Sequence, residues 1–222
     1  MKYHSAFEII GPVMVGPSSS HTAGPIRIGN IARQVLGEEP KQAVFELMGS
    51  FAETYRGHGT DLALLSGVLG MATDSAEVPT ADAKARELGL DYAFKTVNLG
   101  FYHPNTVRIA LAGATRSVKV VASSLGGGKI EVQELDDLPI KFSGENPTLI
   151  LHHQDERGFL AKVSHLLDEA GYNIARLSLE RWRRGGFAIT LCEVDEAIGD
   201  DLLDALQASL PHLKDIRTVH VD

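Results

Sequence analysis

The chain has 222 residues, 44% hydrophobic and 23% charged, with a formal net charge of −8. This is the composition of an ordinary soluble globular protein of one large or two small domains, and the acidic balance argues against a general nucleic-acid or anionic-membrane partner. Its one cysteine, Cys192, excludes an internal disulfide and a multi-cysteine metal centre held by this chain alone, and suits a reducing cytoplasm.

The opening, MKYHSAFEIIGPVMVGP, carries one lysine and an apolar run too short for a signal peptide. No stretch approaches the ~18 uninterrupted apolar residues of a membrane span. Ile28, Ile31, Ala32, Val35 and Leu36 then fall on one face of an amphipathic helix, with Pro25 in its first turn and Gly37 at its exit. AVFELMGSF (43–51) reads as a strand and TDLALLSGVLGMAT (60–73) as a buried helix. TADAKARELG (80–89) reads as a short helix capped by Thr80 and ended at Gly89. From Tyr92 the period becomes two: AFKTVNL, TVRIALAG, SVKVVASS and KIEVQEL alternate between turn residues, which predicts an antiparallel meander.

SGENP (143–147) interrupts all periodicity and marks a boundary between domains at 1–146 and 147–222. Beyond it, TLILHH, GFLAKVSHLLDEAG, YNIARLSLERW, FAITLCEV, GDDLLDALQASL and IRTVHV alternate as βαββαβ, a ferredoxin-like split βαβ module. The predicted class is α+β.

Three stretches carry chemistry. GPSSSHTAGP (16–25) sets Ser18, Ser19, Ser20, His21 and Thr22 at the start of the first helix, whose free N–H groups and dipole favour a carboxylate. A helix cap explains one hydroxyl of this cluster, and a small anionic substrate explains the whole of it. In GSFAETYRGHGTD (49–61), His58 lies between glycines after a strand end and just before a helix at Thr60-Asp61, so a ligand can approach its ring. FYHPNTVR (101–108) places His103, Asn105, Thr106 and Arg108 at a strand entrance, either as a turn initiated by Pro104 or as a polar clamp for a small acid.

Other motifs fail on their chemistry. His152 and His153 are adjacent on a strand, point to opposite faces and cannot chelate one metal. The glycine triplet 126–128 lacks the spacing of a phosphate loop. RWRRGG (181–186) reads as a solvated turn, since the central strands supply mostly leucine, isoleucine and alanine where an RNA-binding sheet needs exposed aromatics to stack bases. A serine–histidine hydrolase is unsupported, because Ser20 and His21 are sequence neighbours and no G-x-S-x-G elbow occurs.

Residues 147–222, with DERGFLAKVSHLLDEAGYNIARLSLER, resemble an ACT domain, a small-ligand module attached to amino-acid enzymes. The resemblance implies a ligand near Gly158 and Asn173, or only a pairing of subunits. GPSSSHTAGP, GHGTD and HPNTVR, followed by this module, together resemble the β subunit of iron–sulfur-dependent L-serine dehydratase. That family implies an N-terminal domain like the allosteric-substrate-binding domain of some phosphoglycerate dehydrogenases. It also implies a partner α subunit whose three cysteines hold a [4Fe–4S] cluster with one iron open to substrate.

The implied reaction takes L-serine through an aminoacrylate to pyruvate and ammonia, the open iron acting as a Lewis acid on the leaving hydroxyl. The resemblance makes His58 the base for the Cα proton, with His21 as the alternative. Gly59 stands where some fused members carry a second histidine. Ser18, Ser19, Ser20, His21 and Thr22, joined by Thr60, Asp61, His103 and Asn105, would bind substrate. No metal is expected in this chain itself, and the ACT-like part would self-associate. The competing reading is a non-catalytic amino-acid-sensing regulatory subunit.

Overall fold

A computed structural model describes residues 12–221. Contacts divide the chain into Met1–Ser143 and Gly144–Asp222. Residues 1–11, the core of the stretch read against a signal peptide, lie outside the described residues.

In the first unit, α1 (Gly24–Leu36) buries Ile28, Ile31, Ala32, Val35 and Leu36, the stripe its periodicity announces. Pro25 sits in its first turn, and Gly37 ends it in a left-handed conformation at φ 70. β1 (Gln42–Leu47) follows, and then α2 (Gly49–His58), α3 (Thr60–Val68) and α4 (Ala81–Glu87) lead to β2 (Asp91–Thr96). Thr80 stands at the N-cap position of α4, but its hydroxyl donates back to the Glu77 carbonyl (3.0 Å) and closes a preceding 3-10 turn.

β3 (Thr106–Ala112), β4 (Ser117–Gly126) and β5 (Lys129–Leu135) form the antiparallel meander. β2 does not join it: the sheet order is β2-β1-β3-β4-β5, and β2 runs parallel to β1 after the helical crossover. A period of two is common to parallel and antiparallel strands with one buried face, so alternation alone does not name the neighbour.

Phe45, Leu47, Val107, Ile109, Val120 and Ala122 are buried on one sheet face, and α1 packs against β4 there. α3 lies on α1 so closely that both need glycine at the crossing. A β-carbon on Gly29 would stand 2.7 Å from the Leu64 carbonyl oxygen, and one on Gly67 would stand 2.8 Å from the Gly29 α-carbon.

The second unit comprises β6 (Thr148–Gln154), α5 (Phe159–Glu169), β7 (Ile174–Arg181), β8 (Phe187–Val194), α6 (Asp200–Ser209) and β9 (Leu213–Val219). Its sheet order, β7-β8-β6-β9, is that of the ferredoxin-like βαββαβ fold. Leu149, Leu151, Cys192 and Val194 pack with Phe159, Val163 and Leu167 of α5 and Leu202 and Leu206 of α6 in one buried cluster. His153 is also fully buried. Its ring stacks on Phe159 at 3.5 Å, and its Nε2 meets the Thr190 hydroxyl at 2.8 Å.

Candidate functional site

The serine loop is itself helical. Ser19–Ala23 forms one π-helical turn that runs directly into α1, with Ser18 extended before it. Single π turns recur at functional sites. The first N–H groups of a helix have no intrahelical acceptor, so here that set belongs to Ser19, Ser20 and His21. The stretch expected to lie as a loop at the N-terminus of the helix is thus itself the first helical turn. Gly24 also gives a ligand no access to backbone, because it is buried and a β-carbon there would press on the Ser124 side chain.

The hydroxyls divide by what they touch. Ser18 and Ser20 bond each other (3.2 Å), and Ser20 meets His21 Nδ1 (3.0 Å). The Ser19 hydroxyl accepts the Gly127 N–H (3.2 Å), so the triple-glycine hairpin of β4 and β5 leans on the loop. Thr22 is buried, and its hydroxyl, like that of Ser124, has no partner among the described residues. Thr60 is fully buried and donates to the His21 carbonyl (3.0 Å). Thr60 therefore ties the loop to α3, and both Thr22 and Thr60, expected to bind substrate, are buried in this structure.

His58 lies elsewhere than its sequence context implies. Residues 49–58 form α2, so His58 closes a helix, and Gly59 makes a left-handed link (φ 69) to α3. α2 is held by buried Phe51 and by Tyr55, whose ring stacks on Phe94 of β2 at 5.9 Å. Gly49 turns sharply at φ 53, and its bare α-carbon lets Pro104 approach: a β-carbon would stand 2.6 Å from the Pro104 carbonyl oxygen.

That placement brings His58 and His21 together, with ring centroids 5.0 Å apart. His21 is half-buried and touches the edge of Phe51 (5.3 Å), and its Nε2 meets the Ser50 hydroxyl (3.1 Å). Burial lowers the pKa of His21, and charge on His58 lowers it further, so the His21 ring is neutral near pH 7. His58 is exposed, and no hydrogen bond engages its ring nitrogens among the described residues.

The third stretch reaches α2 through Pro104, which lies against Gly49. His103 is exposed and its Nδ1 accepts the Asn105 N–H (3.1 Å), while the Asn105 carbonyl accepts the Ser124 N–H (2.9 Å). Thr106 donates to the His103 carbonyl (2.6 Å). Arg108 is paired with Glu46, so it is no clamp for a small acid. Asp61 caps the Leu62 N–H (2.9 Å) and borders a separate hollow with Tyr55, Arg56, Tyr92 and Phe94. Ser50 and Gly127 are the residues that the sequence reading missed.

In the second unit, Gly158 (φ 88) precedes α5 and borders a hollow with Asp155, Leu179 and Arg181. Asn173 lies beyond the other end of α5, bonded to Asp195 (2.5 Å). The 11 residues of α5 between them span ~16 Å. One small ligand therefore cannot touch both residues within one copy.

Residues 5–135 match the serine dehydratase beta chain family, and residues 148–210 match the ACT domain. The chain is 41% identical over 213 residues to the probable L-serine dehydratase beta chain of Bacillus subtilis (strain 168), covering 96% of each. It is 39% identical over 208 residues to the L-serine dehydratase beta chain of Peptoniphilus asaccharolyticus, covering 93% of this chain and 94% of that one. A more distant likeness, 24% over 195 residues, takes in 37% of a D-3-phosphoglycerate dehydrogenase of Bacillus subtilis (strain 168). Fold and site thus define a two-unit α+β chain, with a histidine–hydroxyl cluster in the first unit and an ACT domain as the second. The chain belongs to the serine dehydratase beta chain family.

A cluster does not fit the donors present. Cys192 is buried, and burial pushes its thiol up to about 11, away from the thiolate that binds iron. Among the described residues, no group of three His, Cys, Asp or Glu side chains is arranged to hold a metal ion. No helix among them is long and apolar enough to cross a membrane.

Proposed function

We propose that this chain is the beta subunit of a cytoplasmic, iron–sulfur-dependent L-serine dehydratase, supplying the substrate-side wall and the base of a site completed by an alpha chain. The [4Fe–4S] cluster belongs to that partner, held by its cysteines, and the ACT domain pairs subunits. The observation that carries the reading is the His21–His58 pair beside the serine-lined helix start, in a chain 41% identical to a probable L-serine dehydratase beta chain.

Ser18, Ser19 and Ser20, with the N–H groups of the first turn, hold the serine carboxylate. Neutral His21 orients the substrate. His58, with unengaged ring nitrogens, accepts the Cα proton. The electron pair left on Cα forms the Cα–Cβ double bond as the β-hydroxyl departs, taking a proton to become water. The aminoacrylate tautomerises to an imine, and water hydrolyses that imine to pyruvate and ammonia. Water lost in elimination equals water consumed in hydrolysis.

Anaerobic co-expression with a cysteine-bearing alpha chain tests the reading. Iron should follow the alpha chain, and pyruvate should form only when both chains are present. Pyruvate from this chain alone refutes it. Full turnover by the alpha chain alone, with this chain changing only its serine dependence, makes the chain a regulatory sensor instead.

A further inference from the structure

Resting on that reading, we infer that Ser50 is a positioning residue for the site, fixing the ring plane and tautomer of His21 against His58. Nothing in the local sequence marks it: Ser50 lies 29 positions from His21, in the first turn of α2. Its hydroxyl nonetheless meets His21 Nε2 at 3.1 Å.

A neutral imidazole has one N–H and one lone pair. His21 uses both nitrogens, Nδ1 toward Ser20 and Nε2 toward Ser50. One serine must therefore donate to the ring and the other accept from it. Ser20 belongs to the same π turn as His21 and moves with it, so that bond alone cannot place the ring relative to another element. The His21 backbone is already tied by the Thr60 hydroxyl at its carbonyl. What remains free is rotation of the ring about its side-chain bonds.

α2 limits that rotation with three groups: the edge of Phe51, the tilted ring of His58 and the hydroxyl of Ser50. The two ring contacts are weakly directional, whereas a hydrogen bond selects a plane and a nitrogen. Among the described residues, the Ser50 bond is the one hydrogen bond joining the His21 ring to the helix that carries His58. Ser50 is itself held on both sides. Its carbonyl accepts the Thr54 hydroxyl (2.7 Å), and Gly49 before it is pinned by its close approach to Pro104. Pro104 of the 101–108 stretch thus bears on the residue next to Ser50.

The full chain with ¹⁵N-labelled histidines tests this directly, compared as parent, Ser50→Ala and Ser50→Thr. Long-range ¹H–¹⁵N spectra should show one His21 tautomer in the parent and in Ser50→Thr. Ser50→Ala should show tautomer-averaged ring shifts with an unchanged melting temperature. Paired with the alpha chain, Ser50→Ala should lower kcat by ~10–100-fold, as a misplaced catalytic constellation does. KM should change little, because Ser18 and Ser19 remain, and Ser50→Thr should restore turnover.

Parent-like His21 ring signals in Ser50→Ala overturn the inference whatever the turnover. Averaged signals with parental kcat also overturn it. The dehydratase reading fails separately, if this chain forms pyruvate alone or the parent two-chain assembly forms none.

Discussion

Replacing Gly29 with alanine should destabilise the first unit by about 2 kcal/mol, although alanine is the better helix former. Gly29 is in the middle of α1, where alanine would ordinarily add about 1 kcal/mol of helix stability. Its β-carbon, however, would stand 2.7 Å from the Leu64 carbonyl oxygen, 2.8 Å from the Val68 nitrogen and 2.9 Å from the Gly67 carbonyl carbon. All three are backbone atoms of α3 or its end, so no rotamer change relieves them. Reaching the 3.4 Å of ordinary contact requires α1 and α3 to part by about 0.7 Å. Prising apart a packed core costs up to ~3 kcal/mol, which exceeds the propensity gain. Gly57→Ala is the matched control: Gly57 is exposed in α2 and has nothing within 4 Å of its added carbon. It should gain ~0.5–1 kcal/mol. Urea titration by far-UV circular dichroism reads both, with the first-unit transition of Gly29→Ala ~1 M earlier at an m value of ~2 kcal/mol/M. Stabilisation by Gly29→Ala would refute the argument from close packing.

Ser124→Ala removes a buried hydroxyl that has no partner among the described residues, so thermal unfolding should show it neutral or stabilised by ~1 kcal/mol. Burial holds His153 below its ordinary 6.5, against the opposing Gln154 carbonyl and the Asp155 and Glu156 charges. The unfolded chain therefore binds the proton first. The stability from neutral His153 is present above pH 6.5 and lost as pH falls toward the folded value. Urea midpoints of the second unit should drop between pH 7.5 and 5, and His153→Gln should flatten that drop. With its thiol pushed up to about 11, Cys192 should resist iodoacetamide in the native chain at pH 8 and react once in urea, as read by mass spectrometry.

The elements that could be read from the sequence are those whose signals are local. α1 has periodic apolar residues, a proline inside its start and a glycine past its end, each acting within one or two turns. α2 shares only the last of these, Gly59 past its end. It contains two glycines, buries only Phe51 fully and has no side-chain cap, so its residues read as a strand tail and a loop. Its helix is held by distant partners, Phe94 stacking on Tyr55 and Pro104 against Gly49. For the same reason His21 and His58 were each visible as candidates, while Ser50 between them was not. Thr22 and Thr60 have the right chemistry for a substrate pocket, but burial and a carbonyl partner occupy them inward. Gly158 and Asn173 flank one helix in sequence, and its length sets them apart in space.

The central claim is that His58 on this chain takes the Cα proton of L-serine. Its most direct test is turnover and solvent-deuterium exchange at Cα in the anaerobically assembled two-chain enzyme bearing His58→Ala, with His21→Ala beside it. Loss of a positioned base costs ~10²–10⁴ in rate, so His58→Ala should lower kcat by that order with chain assembly and iron content unchanged, and exchange should fall in parallel. Parental kcat and exchange in His58→Ala would contradict the claim.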